Sequence, residues 1–93
     1  LMALRRQIAD SNIQIKNLNA QVTEATNDQE RVRRNLSSLN SVSGQQERVQ
    51  KYASDLAALD QRLLDLRKQI AAEMNKRDGL VRQLNEKVAS TNF

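Results

Sequence analysis

Cysteine, histidine, proline and tryptophan are all missing from the 93 residues. Without thiols or imidazoles there can be no disulfide, no thiolate or histidine metal ligand and no histidine general base. Catalysis would have to rest on carboxylates and amines. The lack of cysteine suits reducing and oxidising compartments equally and leaves the location open. Two glycines, Gly44 and Gly79, are too few for the many turns of an all-β or α/β fold. Tyr52 and Phe93 are the only aromatics, so the stacking platforms that bind single-stranded nucleic acid are absent. No apolar run is long enough to span a bilayer.

What is present is Leu, Ile, Val and Ala recurring between Lys, Arg, Asp, Glu and Gln, the composition of coiled coils and long exposed helices. The formal charge of +4 arises from fifteen basic groups interleaved with eleven acidic ones, a solubilising pattern rather than a basic block. The length allows one architectural unit. Leu1 is no natural initiator, so unless translation starts at Met2 the chain is expected to be a piece of a longer protein.

Steps of three and four residues run through Leu1, Leu4, Ile8, Ser11, Ile15, Leu18, Val22, Ala25, Gln29, Val32, Leu36 and Leu39. These are the a and d positions of a heptad repeat. Only Ser11 and Gln29 interrupt the apolar seam, and the spacing predicts one helix over about residues 1–39, roughly 60 Å long. A second series runs through Val49, Tyr52, Leu56, Leu59, Leu63, Leu66 and Ile70. Continued strictly, it would place Glu73 and Arg77 in the seam. An extra four-residue step continues the series as Met74, Arg77, Val81, Leu84 and Val88 and recovers most of the apolar positions, so a stutter is expected there. Gly79 beside it predicts a bend or frayed turn.

The cluster Asn40-Ser41-Val42-Ser43-Gly44 separates the two series. Asn40 is expected to take the left-handed conformation that ends many helices. Ser43, three residues before Gln46, is spaced as a capping box for a second helix over about residues 45–90. So short a connection returns the helices as antiparallel neighbours. The fold class is therefore all-α, an antiparallel two-helix coiled-coil hairpin, with dimerisation into a four-helix bundle as a further expectation.

In that register facing residues have numbers that sum to about 88. It pairs Leu39 with Val49, Leu36 with Tyr52, Val32 with Leu56, Ala25 with Leu63, Val22 with Leu66 and Leu18 with Ile70. Gln29 falls opposite Leu59 and Ser11 opposite Arg77, mixed layers that fix register at some cost in stability. Asp28 and Arg62, both assigned to g positions, are expected to form an exposed interhelical ion pair.

Metal sites in helical bundles draw on Glu-x-x-His pairs, and none occurs, so Glu73 is expected in solvent. Tyr52 reads as a packing residue with its hydroxyl at the water's edge. Arg31, Arg33, Arg34, Arg48 and Lys51, near the turn, offer an alternative as phosphate contacts of a nucleic-acid-binding hairpin. Neighbouring acids weigh against it. The narrow a/d seam suits a partner helix better than a membrane surface. Ala9, Ile13, Ala53, Ala57, Ala58, Leu64 and Ala71 add apolar surface outside the seam, enough for a second hairpin or a parent domain to cover. No cofactor, metal or small-molecule substrate is expected.

The run Asn27-Asp28-Gln29-Glu30-Arg31-Val32-Arg33-Arg34-Asn35-Leu36 resembles a DQ-x-R-[IV]-R-x-N-L signature of the bacterial family called domain of unknown function 4139. Mucoidy-inhibitor-like proteins are similar. Lys51-Tyr52 and the helix Leu56 to Ala71 resemble the family's tyrosine and helix on the C-terminal side of that signature. The family's glutamate in this helix is replaced, since the chain reads Leu59-Asp60-Gln61-Arg62 there. The resemblance implies a C-terminal helical hairpin on a larger, mostly β bacterial protein, often with an export signal and without an established activity.

Overall fold

The computed structural model describes residues 1–39 and 42–91. It is all-α, an antiparallel two-helix hairpin of α1, Met2–Leu39, and α2, Gln46–Thr91. Each helix forms because apolar residues recur every three or four positions with no proline to remove a backbone donor. α1 starts where the Arg5 amide donates to the Leu1 carbonyl, 3.0 Å away. Among the described residues no helix is long and apolar enough to cross a membrane.

The turn differs from the expectation in its capping chemistry. The Val42 amide donates to the Leu39 carbonyl at 3.0 Å, and the Val49 amide to the Gln45 carbonyl at 3.0 Å. The second bond puts Gln45 at the start of α2, so Ser43 sits two residues too early to cap it and lies in the turn. Gly44 has φ of 79° and takes the left-handed conformation. Asn40, assigned that role from sequence, lies outside the described residues. Glu47 in the first turn of α2 complements the positive end of the helix dipole.

The two glycines should respond to alanine with opposite signs. A Cβ would meet nothing within 4 Å at either position. At Gly44 the positive φ strains any L-residue, so Gly44→Ala should destabilise by about 1 kcal/mol. Gly79 lies inside a helix, where Gly79→Ala should stabilise by about 0.5 to 1 kcal/mol. Urea melts followed by far-UV circular dichroism would read both, and like signs would contradict the assignment.

Two compact units divide the chain, one of Gln21–Arg67 and one of Leu1–Ala20 with Lys68–Phe93. Each holds antiparallel stretches of both helices. In the first, Ala25, Val32, Leu63 and Leu66 are buried. In the second the buried apolar residues are Leu4 and Ile15. All are a or d positions. The helical periodicity therefore acts directly on burial, because one stripe per helix is removed from water.

The expected stutter does not begin at Met74, because Glu73 is the less exposed of the two. Beyond Ile70 the half-buried side chains are Glu73, Arg77, Leu80, Val81 and Leu84, of which Arg77 and Leu84 belong to both series, Glu73 and Leu80 to the strict heptad and Val81 to the stuttered one, while Met74 is 38 % exposed and Val88 is exposed. In the register summing to about 88, this sets Ile15 opposite Glu73, Ile8 opposite Leu80 and Leu4 opposite Leu84. α2 runs unbroken through Met74–Gly79, so no frayed turn forms. One glycine costs only about 1 kcal/mol, less than the packing of its neighbours Leu80 and Leu84 supplies.

Candidate functional site

The unit Gln21–Arg67 carries most of the seam. Val22, Leu36, Tyr52 and Leu56 are half-buried beside its four buried apolar residues. Gln29 is buried among them, and its Nε2 donates to Oδ1 of Asp60. Asp60 comes directly after Leu59, the residue opposite Gln29 in the register. The amide therefore reaches past the apolar layer to a carboxylate at its rim, which keeps a buried donor satisfied.

Asp28 and Arg62 do not pair. Arg62 Nη2 donates to Oε1 of Gln21 at 3.3 Å, while Asp28 pairs with Arg31 on its own helix at 3.7 Å. The Gln21–Arg62 contact shows that g positions face each other when their numbers sum to about 83, seven short of what Asp28 and Arg62 require. That spacing sets Asp28 opposite Asp55, and both are half-buried around one groove with Arg31. Asp28 therefore takes its counter-charge from its own helix, at a spacing of three residues.

Gln21, Asp28 and Asn35 are half-buried although none belongs to the a/d series. They recur every seven residues, each just before Val22, Gln29 or Leu36. That recurrence was readable in the sequence. Their burial shows that the seam of this unit extends toward its g side.

In the other unit Ser11 is only 2 % exposed. Its Oγ lies 2.9 Å from Oε1 of Glu73 and 3.3 Å from the Glu73 carbonyl. A hydroxyl has one proton to give, so the nearer carboxylate takes it and the carbonyl stands by as a second acceptor. The Glu73 side chain is 20 % exposed, not solvated as its charge suggested, and it pairs with Lys76 at 4.0 Å. Arg77, also in the seam, donates to Asn12 Oδ1 at 3.4 Å and pairs with Asp78 at 3.3 Å. Polar seam residues thus find partners across the hairpin or at its rim. Among the described residues no buried side-chain nitrogen or oxygen lacks one. Leu18 and Ile70, expected as a layer here, are both half-buried.

At the turn, Ser43 and Gly44 are exposed and line an open hollow with Leu39, Val42 and Val49. The five basic residues considered for phosphate contact lie in Gln21–Arg67, which holds seven basic and seven acidic groups. The remaining stretches hold eight and four, so the whole excess of positive charge lies away from the turn. Among the described residues no three carboxylates gather as a metal ion would require.

No protein-family model, curated protein or solved structure matches the chain.

Proposed function

We propose that the hairpin is a non-catalytic structural and protein-interaction module whose outer apolar surface takes another helix, in the first instance from a second copy of the chain. The observation that carries this reading is the set of large apolar side chains left in water outside the a/d seam, Ile13, Leu64, Met74 and Val88. A two-stranded hairpin buries one stripe per helix, while ordering each residue costs roughly 1 to 2 kcal/mol in backbone entropy. Covering further apolar surface therefore stabilises the fold as well as the association. In the larger bacterial protein that the resemblance of Asn27–Leu36 implies, the parent's other domain is the competing occupant of the same surface.

Sedimentation equilibrium from micromolar to millimolar concentration tests the reading. A reversible monomer–dimer equilibrium is expected, with a melting temperature that rises with concentration. A well-folded monomer throughout, melting at one temperature, would refute self-association.

A further inference from the structure

The first twenty residues of α1 carry a second apolar line, on the side away from the seam. At 100° per residue, Met2, Ala9, Ile13 and Ala20 fall within about 40° of one another, roughly opposite Leu4, Ile8, Ile15 and Leu18. All four are exposed, Met2 at 82 % and Ile13 at 57 %. Lys16 borders this line on one side and Arg6 on the other, and both are exposed. Arg5 lies further round, toward α2. Asp10 is the one acid in residues 1–20, and it falls outside the strip, beyond Arg6. Among the described residues Arg5, Arg6 and Lys16 form no ion pair, whereas Arg31, Lys76 and Arg77 each have a carboxylate partner.

We infer that this outer face of α1, residues 2–20, rests on an anionic lipid surface, lying along it and not across it. The inference goes beyond the association role: Leu64, Met74 and Val88, all on α2, remain for the second copy.

Charge and the order of the residues select the occupant. An apolar line flanked by cations lets Met2 and Ile13 enter the acyl boundary while the Arg6 and Lys16 stems run alongside and their charged ends reach headgroup phosphates. The face belongs to the unit that holds the whole excess of positive charge, so an anionic surface attracts it and a neutral one does not. A second copy of the same face would bring like charges together without an acid to separate them. Nucleic acid could use the cations, but it would leave the apolar centre line in water.

The full chain supports two measurements. In the first, binding to phosphatidylcholine vesicles with and without about 30 % phosphatidylserine is followed by co-sedimentation at low salt. Binding is expected only with the anionic lipid and should be lost in about 0.5 M salt. Arg6→Gln with Lys16→Gln should weaken it about twentyfold or more, and Met2→Gln with Ile13→Gln about tenfold. Lys68→Gln with Arg82→Gln removes the same charge from the outer face of α2 and should change it less than about threefold. In the second, an environment-sensitive fluorophore is attached at Ala9→Cys or Ala72→Cys, a specific attachment because the chain has no other cysteine. Its emission should shift to the blue on vesicles at residue 9 and stay unchanged at residue 72. No vesicle binding at low salt, equal losses from the two charge pairs, or equal shifts at both labels would overturn the inference. Binding to duplex DNA that needs Arg6 and Lys16 while vesicle binding ignores Met2 and Ile13 would overturn it in favour of phosphate contacts. None of these outcomes touches self-association through α2, which sedimentation without lipid tests separately.

Discussion

Val32→Asp should lower the unfolding free energy by about 3 kcal/mol or more, a large share of the roughly 5 to 14 kcal/mol expected of a chain this long. Val32 is 3 % exposed and stands opposite Leu56 in the register. A carboxylate there loses its water and faces an apolar layer with no donor to replace it, so it must either stay charged at high cost or take up a proton. Leu56→Asp should cost less, because Leu56 is half-buried and its substituent can turn toward solvent. Asp28→Ala should cost about 1 kcal/mol or less, since it removes only a rim ion pair with Arg31. Urea unfolding at one fixed protein concentration would rank the three. Equal midpoints would contradict the assigned seam.

Leu66→Ala should cost about 2 to 4 kcal/mol, while Leu64→Ala should change the stability of the monomer by less than about 0.5 kcal/mol. The two leucines are two residues apart on one helix, yet Leu66 is only 3 % exposed. Truncating Leu66 leaves a void opposite Val22 that the backbone cannot close. Truncating Leu64 removes surface that water already touches, and its effect should appear in dimer affinity instead. Unfolding below the dimerisation range, beside sedimentation above it, separates the two roles. A Leu64→Ala variant that loses as much monomer stability as Leu66→Ala would contradict the facing of α2.

Much of this fold is legible from residue spacing alone. Every a and d residue from Leu4 to Leu39 is buried or half-buried, because a helix without glycine or proline keeps its phase for ten turns. The turn is equally legible, since only Asn40 to Gly44 breaks the periodicity with small polar residues. The phase of α2 after Ile70 is not. Two apolar series overlap there, one residue apart, and the one containing Met74, Val81 and Val88 looks the more hydrophobic. Where the two differ in burial, at Glu73 against Met74, the other holds the seam because Ser11, on the opposite helix, supplies a polar partner for Glu73. Such compensation depends on contacts between residues more than sixty apart, which a single-helix pattern does not weigh. The Asp28–Arg62 pairing failed for a related reason: the a/d sum does not carry over to flanking positions, whose facing partners are offset by the helix geometry.

The register past Ile70 decides which stripe of α2 is seam and which is free, and a competition between two double-cysteine variants measures it directly. One carries Ile15→Cys with Glu73→Cys, the other Ile15→Cys with Met74→Cys, both oxidised in a thiol buffer at low protein concentration so that bridges form within one chain. A bridge requires Cα atoms about 4.4 to 6.8 Å apart, a condition that distinguishes a facing residue from its neighbour on the rim. The continuous heptad predicts that the 15–73 pair closes at much lower oxidant strength than the 15–74 pair. Preferential closure of 15–74 would contradict it and restore the stutter.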